Sequence, residues 1–231
     1  SFNKIEIFIR DKKKVESNII ELKDVKKLPA GIQKKIIKDI KKITSKRKFF
    51  KKKNHVLMGV LNMTPDSFSD GGQYNSLKKA SQKIIEMINA GADIIDIGGE
   101  STRPGSKIVS QKNELLRVQK IIKNFKKRFP KTFLSIDTRK SLVMDYSIKN
   151  NTDIINDVSC FKFDPKSFNS IKNRNIWKII HHMQGTPQTM QINPKYNHVL
   201  LDIYDFFEEE IKRFKTFKHN KKIILDPGIG F

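Results

Sequence analysis

Hydrophobic residues in this chain gather into short runs, each ending in polar residues and followed by a stretch of helical period. The first run, residues 56–61, reads as a fully buried strand and delivers Asn62 into a loop rich in Pro, Asp, Ser and Gly. A helical pattern follows from Ser76, a candidate N-cap, through Ala80, Ile84, Met87 and Ile88 to Gly91, a candidate C-cap. Residues 93–97 form a second apolar run, which ends in Gly98-Gly99-Glu100-Ser101-Thr102-Arg103-Pro104-Gly105. The spacing then predicts a helix over 111–128, with its stripe made by Leu115, Val118, Ile122, Phe125 and Phe129. Further strands are predicted at 133–136, 153–155, 176–180 and 223–225. They deliver Asp137-Thr138-Arg139, Asn156-Asp157, His181-His182-Met183-Gln184-Gly185 and Asp226-Pro227-Gly228-Ile229-Gly230-Phe231. A short helix separates the third strand from the fourth, and a longer one around 200–217 precedes the sixth.

Strand, polar loop and helix in regular alternation, with strands hydrophobic along their whole length, predict an α/β chain with a parallel sheet. The repeated polar strand ends point to a (β/α)8 TIM barrel, of which about six βα units are present. A barrel needs eight strands and ~250 residues. The two missing strands, the start at Ser1 without Met and the end at Phe231 lead to the expectation of a fragment. Residues 54–231 carry the barrel pattern, and residues 1–53 form a basic N-terminal extension. In the extension, Ile5, Ile7 and Ile9 alternate as in a short strand, and Pro29-Ala30-Gly31 breaks the chain. Ile32, Ile36, Ile40 and Ile43 recur at helical spacing, and 44–53 is a basic connector. A basic amphipathic helix suits an anionic membrane surface, but packing on the barrel is the simpler role.

Charge changes this picture little. The chain of 231 residues carries a formal charge of +23, and residues 1–53 account for 19 Lys and Arg against 6 Asp and Glu, a balance of +13. The excess is nearly all Lys among many Ile and Asn, the bias of an AT-rich genome, and no Arg-rich run is interleaved with aromatics. That argues for solvated surface and against a nucleic-acid partner. The lone Cys160 excludes a disulfide framework, and no Cys and His cluster has zinc spacing. No apolar run approaches the ~20 residues of a membrane span. A soluble, cytoplasmic protein is expected, with no membrane partner.

The strand ends carry the candidate chemistry. Asp137, Asn156 and Asp226 are short hydrogen-bonding side chains directed at one mouth. They suit a flat heterocycle rich in N–H groups, a pterin or a purine, although each could also be a turn or a cap. Ser101-Thr102-Arg103 after Gly98-Gly99 combines hydroxyls, a guanidinium and close backbone N–H groups, which suits a phosphate or diphosphate. Asn62 offers a neutral oxygen to a Mg²⁺ that keeps most of its waters. Arg103 before Pro104 could equally be a surface residue on a turn. His181 and His182 are adjacent on a strand, point to opposite faces and cannot both ligate one metal.

These residues carry a resemblance to the dihydropteroate synthase family. Leu61-Asn62-Met63-Thr64-Pro65-Asp66-Ser67-Phe68-Ser69-Asp70-Gly71-Gly72 resembles its first signature, and Asp96-Ile97-Gly98-Gly99-Glu100-Ser101-Thr102-Arg103-Pro104-Gly105 its second. Ser135-Ile136-Asp137-Thr138, Ile154-Ile155-Asn156-Asp157, His182-Met183-Gln184-Gly185 and Leu225-Asp226-Pro227-Gly228-Ile229-Gly230-Phe231 follow in the family's order. The resemblance covers about residues 54–231 and leaves out 1–53. It implies a (β/α)8 transferase of folate synthesis that joins 4-aminobenzoate to 6-hydroxymethyl-7,8-dihydropterin diphosphate, requires Mg²⁺ and forms a homodimer. By the same resemblance Asp137, Asn156 and Asp226 hold the pterin, with Asp96 and Met183 lining its pocket. Asn62 sits on the Mg²⁺–diphosphate, and Thr102 and Arg103 lie beside the anion and the incoming amine. Asp70 stabilises the pterin methylene cation. Phe68, Pro104 and Phe231 wall the aminobenzoate pocket, where sulfonamides compete.

The departures matter as much. The family's seventh strand supplies a Ser-Arg-Lys segment and its eighth an Arg-x-His segment, and the 231 residues contain neither. A pterin-binding methyltransfer domain and a non-catalytic remnant are the alternative readings. The Phe68-Ser69-Asp70 loop and Ser101-Thr102-Arg103-Pro104-Gly105 favour the synthase, because they serve an aromatic amine and a diphosphate. An open six-stranded sheet exposes two unpaired edges. Residues 1–231 alone are therefore expected to fold poorly and to lack turnover; cooperative melting of a soluble 1–231 with measurable product would contradict this.

Overall fold

The computed structural model describes residues 2–11, 14–45, 55–64, 72–101, 108–187 and 189–229, with only the backbone of Asp11 and of residues 72–76. The chain divides into two compact units, Ser1–His55 and Val56–Phe231.

In the first unit, β1 (Lys4–Asp11) and β2 (Lys14–Glu21) form an antiparallel hairpin that pairs Lys4 with Glu21 and Asp11 with Lys14. A 3₁₀ helix (Leu22–Lys27) buries Val25, and α1 (Ala30–Thr44) starts after Pro29. The strand through Ile5, Ile7 and Ile9 and the Ile-striped helix are present as expected. The second hairpin strand was hidden from the sequence reading, because Val15, Ile19 and Ile20 do not keep period two along Lys14–Glu21. No residue of α1 is buried.

The second unit alternates strand and helix: β3 (Met58–Asn62), α2 (Gly72–Asn89), β4 (Ile94–Gly98), α3 (Gln111–Arg128), β5 (Phe133–Asp137) and α4 (Ser141–Lys149). It continues with β6 (Ile154–Asp157), α5 (Ser167–Ile171), β7 (Trp177–His181), α6 (Val199–Phe214) and β8 (Ile223–Asp226). The six strands β3 to β8 lie side by side in chain order and are all parallel. Consecutive order with helical crossovers is the wall of a (β/α)8 barrel, and a doubly wound sheet would reverse its order.

The register sorts side chains onto two faces, because directly paired residues of neighbouring strands point the same way. Asn62 pairs with Gly98, Gly98 with Asp137, and Asp137 with Asn156. Asp96 and Ser135 pair one pleat below, and His181 pairs with Asp226 above. The other face is apolar apart from Asp157 and Lys178. Leu61, Ile95, Ile97, Leu134, Ile136, Ile155 and Ile180 belong to one buried cluster with Ile84, Val118, Ile122, Phe125, Met144 and Phe214 of the helices. Burial of each such side chain contributes about 1.5–3 kcal/mol, so this layer holds the strands in place.

Two sequence expectations need correction, and one element was missed. The run at 56–61 is not fully buried: only Leu61 of β3 is, and Val60 is 58% exposed. Among the described residues β3 pairs with β4 alone, so its inner face lacks a neighbour on one side. α2 begins at Gly72, which places Ser76 inside the helix and not at its N-cap. α5, a single turn and a half, was too short to leave a periodic signal. Gly91 does end α2: at φ +101° its N–H donates to Ile88 O, while the Ala92 N–H donates to Met87 O. α3 has the expected bounds, with Ser110 accepting from the Asn113 N–H and Lys126, Lys127 and Arg128 in its last turn.

Candidate functional site

The polar inner face of the sheet concentrates the candidate residues at the carboxyl ends of the strands. Asn156 Nδ2 donates to Asp96 Oδ2 at 3.0 Å, which joins β6 to β4 across β5. Asp96 Oδ1 and Ser135 Oγ are both withdrawn from solvent. Burial pushes the Asp96 carboxyl above the usual range, and the Ser135 hydroxyl and the Asn156 amide pull it back. Asp137 is pushed well up, first by burial and then by the charges of Asp96, Glu114, Asp157 and Glu100. A carboxyl that is costly to ionise when the site is empty gains from N–H groups brought to it.

Gly98 leaves a gap in this row. A Cβ there would lie 3.3 Å from Asn62 Oδ1 and 3.5 Å from Asp137 Oδ2, so the glycine keeps space between those two side chains. Gly99 has a packing role instead: its Cβ would meet Glu114 Cγ at 2.9 Å and Glu114 O at 3.0 Å, where β4 runs onto α3. Among the described residues no group of three or more His, Cys, Asp and Glu could hold a metal ion. Among the described residues, the Asn62 oxygen beside this gap suits a Mg²⁺ held mainly by waters and ligand phosphates, not an all-protein cage.

Asp226 takes the turn role that the sequence allowed it. Its Oδ1 caps the turn by accepting from the Gly228 N–H at 2.9 Å, while Oδ2 faces His181 Nδ1 at 3.9 Å. Burial lowers the His181 pKa against the pull of Asp226. His182 lies on the other face, edge-on to Phe206 at 5.0 Å and near Tyr196 at 5.8 Å, so the two histidines are separated as expected. Met183 lines a cavity of about 300 Å³ with Arg139, Val158, Ser159, Phe163 and His181, and its walls do not include Asp96, Asp137, Asn156 or Asp226. Phe68 and Asp70, Thr102, Arg103 and Pro104, and Phe231 lie outside the described residues.

The sequence reading missed a buried charged group at the same strand ends. Glu100 Oε2 accepts from Arg139 Nη2 at 2.8 Å, and Lys140 Nζ lies 3.0 Å from Glu100 Oε1 and 2.5 Å from Glu114 Oε2. The Arg139 guanidinium stacks over Phe163 at 4.1 Å. One signal was available. Glu114 stands four residues before Val118 on the apolar stripe of α3, and a charge at a core position calls for a buried partner. Asp157 was also passed over. It points away from Asn156, accepts from Ser159 N–H (2.7 Å), Ser159 Oγ (2.6 Å) and Phe161 N–H (3.1 Å), and so holds Cys160 and Phe161 at φ +54° and +59°.

Burial raises the Asp157 pKa from 3.8 to about 6, against the pull of its hydrogen bonds. The folded state then binds more protons than the unfolded chain between these values. Stability is therefore greatest below pH 3.8 as far as this group is concerned, and it declines as pH rises through about 6. Asp96 and Asp137 act in the same direction. Urea unfolding across pH 4–7 should show this decline, and Asp157→Asn should flatten it; an unchanged slope in the variant would refute the assignment.

Comparison with known proteins bears on what this row of acceptors holds. The pterin binding enzyme family matches residues 58–231. The dihydropteroate synthase of Escherichia coli (strain K12) is 44% identical over 176 residues, which cover 76% of this chain and 62% of that protein. The crystal structure of Yersinia pestis dihydropteroate synthase in a sulfonamide drug complex superposes with a TM-score of 0.69 at 41% identity, covering 76% of this chain and 64% of that one. Xanthomonas albilineans dihydropteroate synthase with 4-aminobenzoic acid gives 0.68 at 33% identity, covering 76% and 62%. The chain thus spans somewhat under two thirds of the length of these relatives. With the family's match running from β3 to the end of the chain, and the polar row of Asn62, Asp96, Asp137, Asn156 and Asp226 inside it, the chain belongs to the pterin binding enzyme family.

Proposed function

We propose that the protein is a dihydropteroate synthase, which condenses 6-hydroxymethyl-7,8-dihydropterin diphosphate with 4-aminobenzoate and releases diphosphate. The observation that carries this reading is the pair Asp137 and Asn156 side by side at the ends of β5 and β6, with Asn156 held by Asp96. Together they present one carboxylate and one amide to a flat ring. The two-oxygen edge of Asp137 accepts from adjacent ring and exocyclic N–H groups, and Asn156 both donates and accepts. Asp226 and Met183 complete the pocket. The relatives' own names favour the synthase over a pterin-dependent methyltransfer domain.

In this mechanism the pterin is fixed from one edge, so its methylene carbon faces the strand ends where Asn62 stands. Mg²⁺, when bound through Asn62 and the diphosphate, would offset charge on the leaving group. Thr102 and Arg103 would hold the same anion. Asp70 would face the cationic methylene carbon that the departing diphosphate leaves. The amine of 4-aminobenzoate, in a pocket that Phe68, Pro104 and Phe231 would wall, then attacks that carbon, so that a C–N bond replaces the C–O bond to diphosphate and the nitrogen releases one proton to solvent. Sulfonamides would compete in this last pocket. A cytoplasmic homodimer is part of the same proposal; no helix among the described residues is long and apolar enough to cross a membrane.

The test is calorimetric titration of the protein with 6-hydroxymethylpterin and with its diphosphate. The pterin should bind without metal, and Mg²⁺ should tighten the diphosphate and not the alcohol; equal effects on both would remove Asn62 from the metal. Asp137→Asn should weaken pterin binding about 100-fold, the loss of charge-assisted hydrogen bonds. It should at the same time leave thermal stability at pH 7 equal or higher, since a repelled buried carboxylate is gone. A variant that binds pterin normally would overturn the reading.

A further inference from the structure

Asp96, Asp137 and Asn156 sit on three different strands, held in register by the backbone ladder and joined at side-chain level by the Asn156–Asp96 hydrogen bond. A charged group just past the carboxyl ends of β4 and β5 reaches the chain that follows all three strands. Glu100, directly after β4, reaches Arg139 at 2.8 Å and Lys140 at 3.0 Å, two and three residues beyond Asp137 on β5. Its Oε1 also accepts from the Val109 N–H at 2.8 Å, which ties the chain entering α3 to the end of β4. Lys140 is shared with Glu114 in the first turn of α3, and Arg117 Nη1 donates to Gly99 O at 2.8 Å. Arg139 covers the ring of Phe163, which follows β6.

We propose that Glu100 is a positioning residue: through Arg139 and Lys140 it fixes the end of β5 against those of β4 and β6, and so sets Asp137 and Asn156 at the separation a pterin edge requires. This rests on the reading of the site as a pterin grip. All three donors converge on a carboxylate shielded from water, which makes the contact stiff and directional. Burial alone would lift the Glu100 pKa, but the Val109 N–H, Arg139 and Lys140 outweigh it and hold the carboxyl below the usual range. Glu100 therefore stays ionised while the neighbouring Asp96 and Asp137 are pushed upward.

Amide hydrogen exchange of the intact protein, read beside pterin titration, tests this. Two amides report on the strand ends: Met63, which donates to Gly98 O, and Thr138, which donates to Asn156 O. Two report on the opposite end of the same strands: Phe133, which donates to Asp93 O, and Trp177, which donates to Asp153 O. Glu100→Gln keeps an acceptor for Val109 and removes the charge. Exchange at Met63 and Thr138 should rise about tenfold, with Phe133 and Trp177 unchanged. 6-Hydroxymethylpterin affinity should fall about tenfold or more. Uniform acceleration at all four amides means a structural role only and overturns the proposal, as does local loosening with unaltered affinity. If Glu100→Gln does not fold, Arg139→Lys keeps the charge, loses the fork between Glu100 and Phe163, and should give the same local pattern. Failure of the wild-type protein to bind pterin, with the exchange pattern intact, would sink the functional reading and leave the bracing in place.

Discussion

Buried charge is the constraint on which the second unit depends. Asp96, Asp157, Glu100 and Glu114 are withdrawn from water at the strand ends, and Asp137 lies among them, while Arg139 and Lys140 are the cations placed against them. Unpaired buried charge is strongly unfavourable, so the fold must either pair each group, hydrogen-bond it or let it take up a proton. All three solutions are present. Glu100 and Glu114 are paired, Asp157 is hydrogen-bonded to a tight turn, and Asp96 and Asp137 are left with raised proton affinity. The last two face the space where a ligand would lie, which is where an unfinished set of hydrogen bonds has a use.

The parallel sheet makes this arrangement possible. Each strand alternates between a face that packs on helices and a face that does not, and the register places like positions side by side. Ile95, Ile97, Leu134, Ile136 and Ile155 supply the packing, so the inner face is free to carry Asp96, Ser135, Asp137 and Asn156. The glycines at the end of β4 serve two ends. Gly98 keeps the inner face open beside Asn62 and Asp137, and Gly99 lets the strand end approach Glu114 and Val118 of α3 closely.

The alternation of strands and helices, their order and most of their bounds were legible in the chain, because hydrophobic period is a local property. α3 is the clearest case: its bounds and its stripe both lie within one stretch of residues. The strand-end residues Asn62, Asp137, Asn156 and Asp226 were legible for a related reason, since a polar residue that ends an apolar run marks itself, whereas Asp96, inside β4, was indicated only by the family resemblance. The misses are of another kind. β3 has an apolar sequence but stands at an edge of the described sheet, and no feature of its own residues distinguishes an edge from a centre.

By itself, then, the sequence determined the strands and the longer helices of the second unit, that those strands run parallel, and which polar groups stand at their ends. Tertiary structure alone decided which of those groups meet. Asn156 and Asp96 are 60 positions apart, and Glu100 and Arg139 are 39 apart. Whether such residues touch depends on register and on the face each presents, and a one-residue slip in pairing would send either side chain to the opposite face. The pairing that forbids that slip is made by the apolar layer between sheet and helices, which exists only once all the elements are packed.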